Sequence, residues 1–195
     1  MSKHLLIFIL LFSACTEDFS GKKGNLFISK SEEYDVYSTL VNKLFIESKT
    51  KIVVIRNKTI DFSSELVINY PDLTGVEKSF PPLLHEVVLN FKSRNKERQS
   101  IERLFKLEKD YTLIDDGLAA NVLKDMKKFD VFLKEYPNST GIISLSRVGF
   151  SSTSNQSLVY AIQWCGDTCS QGRYFILAKV NSKWVIEKEM IDWIA

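Results

Sequence analysis

The stretch from Tyr136 to Ala195 constrains the fold most, because it reads as a β-meander of four strands stapled by a cysteine pair. A first strand is predicted over residues 142–150, ended by the polar run 151–156. A second is predicted over residues 158–165, where β-branched and aromatic residues in a short run favour a strand over a helix. Leu158, Tyr160, Ile162 and Trp164 share one face of it, and Val159, Ala161, Gln163 and Cys165 share the other. Both faces are mostly apolar, so this strand is expected to be central and covered on both sides. Gly166, Asp167 and Thr168 supply turn chemistry for a three-residue connection to a third strand over residues 173–180. Asn181, Ser182 and Lys183 predict another tight turn. The fourth strand begins at Trp184 and turns charged at Glu187, Lys188 and Glu189, as an edge strand that must resist unwanted pairing does. The apolar close at Ile191, Trp193 and Ile194 is expected to dock on the core.

Cys165 and Cys169 flank the turn between the second and third strands. Directly opposed residues in a hairpin bring their Cβ atoms near disulfide distance, so a structural bridge is expected. The loop it closes is short, and chain entropy gives it about 2 kcal/mol. Two free thiols, a metal site and a redox pair are the alternatives. Zinc needs further Cys or His ligands, which are missing at suitable spacing, and C-x-x-x-C is not the C-x-x-C of disulfide oxidoreductases.

In order along this stretch stand Tyr136-Pro137-Asn138-Ser139-Thr140-Gly141, Ser144-Leu145-Ser146-Arg147-Val148-Gly149-Phe150, Leu158-Val159-Tyr160, Cys165-Gly166, Cys169, Gly172-Arg173-Tyr174 and Trp184. The order resembles a group of uncharacterised bacterial exported proteins and lipoproteins whose C-terminal part reads YP-x-S-x-G, SRVGF, ALVY, CG, G-x-Y and W. Ser157, where the group often has Ala, and Ser170, where Gly often follows the second Cys, depart from that pattern. The resemblance implies export from a bacterial cytoplasm. It carries no activity and no functional residues.

The other end of the chain agrees with export. Residues 1–14 read as a lipoprotein signal peptide: Lys3 gives a positive start, residues 5–12 an apolar run, and Ser13-Ala14 the small residues that cleavage needs. The run is far shorter than the roughly 20 residues of a spanning helix. Cys15 directly after Ser13-Ala14 resembles the bacterial lipobox, with Phe12 in place of the usual Leu, which implies acylation of Cys15. An ordinary signal peptide cut after Ala14 and a buried apolar N-terminus are the alternatives. Two or more acyl chains anchor a protein stably where one does not. Residues 15–27 read as a polar tether, and residues 28–195 as a single α+β domain.

Within that domain, Ser29 as N-cap, Glu32 three residues on and Ile28 as a staple predict a helix to about Phe45. Tyr34, Tyr37, Val41, Leu44 and Phe45 form its apolar stripe, with the two tyrosines as core or as pocket lining. Residues 51–56 predict a strand, residues 62–70 are ambiguous between helix and strand, and Pro71-Asp72 reads as a turn. Pro81-Pro82 opens a helix whose apolar face is Leu83, Leu84, Val87, Val88 and Phe91. Residues 93–98 read as a solvated basic stretch, 101–107 as a short helix or helical turn, 111–114 as extended, and 118–134 as mainly helical up to Tyr136-Pro137. The fold class is therefore α+β, with N-terminal helices and short strands packed on a C-terminal antiparallel β-meander.

Composition and motifs then bound the chemistry. The formal net charge is +2, and no long basic block gives reason to expect nucleic acid. Beyond the leader the one histidine is His85, and His85-Glu86-Val87-Val88-Leu89 lacks the second histidine of a zinc-protease helix. No serine sits in a G-x-S-x-G elbow and no glycine-rich phosphate loop occurs. Asp115-Asp116, before Gly117, is the best acidic pair and also a common turn sequence. Arg147 lies among apolar and small residues, where an arginine needs a partner. A structural ion pair, with Asp115 or Asp116 as candidates, or an anion site is expected there. Trp164, Trp184 and Trp193 read as core or as a ligand platform. No catalytic set, metal site or cofactor is expected. The reading is a membrane-anchored bacterial envelope lipoprotein, held by lipid on Cys15 at the outer membrane and facing the periplasm or the surface. It would be a non-catalytic binding or assembly module for an envelope partner. The alternatives are an exported hydrolase using Asp115, Asp116, Glu86 or His85, and a soluble exported inhibitor or protective protein.

Overall fold

The computed structural model describes residues 29–62, 83–166 and 168–195. The leader, Cys15, the tether, Ile28, most of the ambiguous run 62–70, the Pro71-Asp72 turn, Pro81-Pro82 and Asp167 lie outside the described residues. The fold is α+β: among the described residues four helices pack on a mixed, mostly antiparallel sheet of seven strands.

Helix α1 spans Lys30–Leu44 and begins where the capping signal puts it, with the Glu32 amide donating to Ser29 Oγ at 3.3 Å. The Glu32 carboxylate is used elsewhere: it accepts from Trp184 Nε1 at 2.7 Å and pairs with Lys179. Strand β1 (Ile52–Arg56) follows. Helix α2 (His85–Arg94) buries Val87, Val88 and Phe91, while Leu84 stays exposed.

Residues 101–107, predicted as a helical turn, form no helix. They run as irregular chain along α1, tied with Glu108 by the side chains of one i, i+4 stripe. The Glu102 amide donates to Tyr34 Oη, the Lys106 amide to Ser38 Oγ at 2.9 Å, and the Glu108 amide to Asn42 Oδ1 at 2.9 Å. Such tertiary partners leave no trace in local periodicity, which is why the helical pattern misleads.

Strand β2 (Asp110–Ile114) leads into α3 (Asp116–Leu123) and α4 (Met126–Glu135). The predicted single helix over 118–134 is thus two. Asp125 breaks it by leaving helical geometry and accepting from the Lys127 amide at 2.9 Å, as an N-cap for α4.

The meander stands, with one correction. The predicted strand 142–150 is interrupted: β3 covers Ser139–Leu145 and β4 only Gly149–Phe150, both paired with β5 (Gln156–Trp164). Strand β6 (Gln171–Val180) pairs with β5 and then with β7 (Lys183–Ile194) across a turn in which Asn181 and Ser182 have φ 49° and 62°. As expected, β5 is central and buried on both faces, and the charged β7 is an edge. The apolar C-terminus divides: Trp193 packs inward, whereas Ile191 and Ile194 are exposed.

The sheet order is β2-β1-β3-β5-β6-β7, with β1 parallel to both neighbours. Helix α1 and residues 101–107 cover one face, where Leu40, Val53, Ile55, Ile143, Val159 and Phe175 meet. The opposite face is covered by α2 over Leu158, Tyr160 and Ile176, and by α3 and α4 over Val54 and Ile142.

Candidate functional site

The parallel strands β2, β1 and β3 end together, and their carboxyl edge gathers two groups of one carboxylate with two arginines. In open sheets with parallel strands this edge is where ligands bind.

The break between β3 and β4 is the centre of it, and each residue of Ser146-Arg147-Val148-Gly149-Phe150 has a contact that explains it. The Ser146 amide donates to Tyr160 O at 2.9 Å, and Ser146 Oγ accepts from the Tyr160 amide at 2.8 Å, so the side chain replaces a ladder carbonyl. Asn95 mimics a neighbouring strand: its Oδ1 accepts from the Arg147 amide at 2.7 Å and its Nδ2 donates to Arg147 O at 3.0 Å. The Val148 amide donates to Glu33 Oε1 at 3.0 Å. Gly149 lies under α2, where an added Cβ would stand 2.5 Å from Phe91 Cβ and 2.7 Å from the Phe91 backbone. The Phe150 amide donates to Asn90 Oδ1 at 2.9 Å, and its ring packs on Trp184 at 5.7 Å.

Arg147 does pair, but with Glu33 of α1 (3.3 Å) rather than with Asp115 or Asp116. Glu33 also accepts from Arg94 Nη2 at 2.7 Å, so one buried carboxylate serves two guanidiniums. Burial alone would raise the Glu33 pKa. Arg94, Arg147 and the Val148 amide outweigh burial and hold it below the ordinary carboxylate value. Tyr37 Oη lies 3.1 Å from Glu33 Oε1 and 2.8 Å from Ser146 O, and burial with the Glu33 charge pushes its phenol well up.

Asp115 and Asp116 separate into different tasks. Asp115 caps α3, its Oδ1 accepting from the Gly117 and Leu118 amides at 2.8 and 3.2 Å, which is the turn role. Asp116 pairs with Arg56 and, through both oxygens, with Arg98; Arg98 Nη1 reaches Asp116 Oδ2 at 2.8 Å, and its Nε donates to Thr59 O at 2.9 Å. Burial opposes the charge, yet Arg98 and Arg56 hold the Asp116 carboxyl below its usual value. The stretch 93–98, read as solvated, therefore supplies both triads and the buried Asn95. Its basic residues looked like a surface run because their acidic partners lie far away in the chain.

The other candidates disperse. His85 and Glu86 sit exposed in the first turn of α2, with Glu86 accepting from Ser152 Oγ at 3.1 Å. Trp184 packs on the α1 face, whereas Trp164 and Trp193 pack together at 5.3 Å on the other, so the three rings form no shared platform. Tyr34 and Tyr37 are buried against Phe105 and also edge a cavity of about 200 Å³ beside Glu33, Thr59 and Arg147. Among the described residues no three His, Cys, Asp or Glu side chains converge as metal ligands.

Carboxylates held below their normal range by two arginines stay ionised at neutral pH. Each therefore offers this edge a negative charge and hydrogen-bond acceptors. At the opposite end of the parallel strands, beside Cys165 and Cys169 (Cα–Cα 5.5 Å, at disulfide distance), a larger cavity of about 500 Å³ opens.

No family model, curated protein or solved structure matches the chain.

Proposed function

We propose that the protein is a lipid-anchored lipoprotein of the bacterial cell envelope whose folded part is a non-catalytic binding or assembly module for an envelope partner. The observation that carries this reading is Cys15, placed directly after Ser13-Ala14 behind a short apolar run. A cysteine pair at disulfide distance suits an oxidising compartment. The acids a hydrolase would use are committed to other work: Asp115 caps α3, and Asp116 is clamped by Arg56 and Arg98.

The test is the intact mass of the chain from membrane and soluble fractions, for wild type and Cys15→Ser, with and without reduction. A membrane-bound chain starting at Cys15, heavier by its acyl groups and released by the substitution, is expected. An unacylated soluble chain overturns the anchor. A gain of about 2 Da on reduction reports the Cys165–Cys169 bridge, and an unchanged mass refutes it.

A further inference from the structure

We propose that the cavity at the amino-terminal ends of β1 and β3 binds a short zwitterionic peptide; this rests on reading the folded part as a binding module. Its volume of about 500 Å³ is in the range of small-molecule sites.

The walls are built by specific contacts. On one side the turn after α1 is closed by the Thr50 amide donating to Glu47 O at 3.0 Å and the Glu47 amide donating to Thr50 Oγ1 at 2.9 Å. That turn sets Glu47 and Lys49 on the rim, and Thr50 is buried beneath them. On the other side Gly141, at φ 86°, lets the chain pass so close to β5 that a Cβ would stand 1.8 Å from Trp164 O. Between the two runs a relay of amides: Gln171 Nε2 donates to Gln163 Oε1 at 3.3 Å, and Gln163 Nε2 donates to Thr140 O at 3.1 Å.

Hydrogen-bonding capacity here exceeds what the fold consumes. Ser139 Oγ and Thr140 Oγ1 are buried in this wall with no partner among the described residues. Buried polar atoms are nearly always satisfied, so such a pair calls for a partner from outside the fold, which a bound ligand would supply.

The lining selects the chemical class. The relay uses one N–H of Gln171 and leaves it a second N–H and its Oε1, a donor and an acceptor together, which matches a peptide bond. Glu47 and Lys49 present opposite charges on one rim, matching the ammonium and carboxylate ends of a short peptide. Leu133 and the cysteine sulfurs take a small apolar side chain, and among the described residues the lining holds no aromatic ring on which a sugar would stack.

The test titrates the purified full chain with L-alanyl-L-alanine by calorimetry and amide NMR, with N-acetylglucosamine and end-capped dialanine in parallel. Saturable dialanine binding is expected, with shifts confined to residues 47–50, 138–141, 163–166 and 168–171. The capped peptide should bind more weakly. Lys49→Glu should weaken dialanine by about threefold to fivefold, the scale of an exposed ion pair, at unchanged Tm. Absent saturation, shifts elsewhere, preference for N-acetylglucosamine, or an indifferent Lys49→Glu each overturn the assignment. An acylated chain that ignores dialanine overturns the peptide site and leaves the anchor standing. An unacylated chain that binds it does the reverse.

Discussion

Replacing Glu33 with Gln tests whether the carboxyl edge is held together by charge. The substitution keeps the shape of the side chain and an acceptor for the Val148 amide, but leaves Arg94 and Arg147 without their shared anion. Removing one partner of a buried pair costs about 3–5 kcal/mol when the remaining charge is fully desolvated. Here the guanidinium side chains are 17% and 26% exposed, so part of that cost is recovered from water. We expect a loss of about 2–3 kcal/mol, seen as a Tm lower by roughly 4–12 °C for a domain of this size. The acid limb gives a second readout. The folded Glu33 pKa lies below 4.5, so folded protein binds fewer protons than unfolded protein in that window. The contribution of Glu33 is therefore present above pH 4.5 and lost as pH falls through the depressed value. In urea titrations from neutral to acid pH, the gap between wild type and Glu33→Gln should narrow below about pH 4.5. A loss under about 0.5 kcal/mol, or a gap that does not shrink with acid, refutes the reasoning. Adding Arg147→Met to Glu33→Gln should recover part of the loss, since it removes one orphaned cation.

Two further substitutions probe the strand break. Asn95→Ala strips the Arg147 amide and carbonyl of their side-chain partners, which should cost about 1–3 kcal/mol in urea unfolding and raise hydrogen exchange at the Arg147 amide; unchanged exchange would count against the mimicry. Gly149→Ala drives a methyl group into the Phe91 backbone, so it should lower stability by about 1–3 kcal/mol or more, and a neutral result would show that α2 does not press on β4.

Much of the meander and the first helix is legible from local pattern. Alternation sets the faces of β5, the cap at Ser29 sets the start of α1, and Asn181-Ser182 sets the last hairpin turn, because each depends on neighbours within a few residues. The cysteine pair was legible for the same reason: only a short turn separates its members. The carboxyl edge was not. Arg147 announced that it needed a partner, but Asp115 is consumed by capping α3, and Asp116 is taken by Arg56 and Arg98. The partner, Glu33, comes from α1, where its position within the first turn reads as ordinary helix chemistry.

By itself the sequence determined the class of the fold, most strands of the meander and the start of α1, since propensity, turn chemistry and capping act over a few residues. Tertiary structure alone decided that β1 and β2 join the same sheet in parallel, because parallel partners need long crossovers that carry no local signal. It also decided the break at Ser146–Val148. A strand pattern over residues 142–150 is locally consistent, and only Glu33, Asn95 and the pressure of Phe91 on Gly149 make an interruption more stable than a continuous strand.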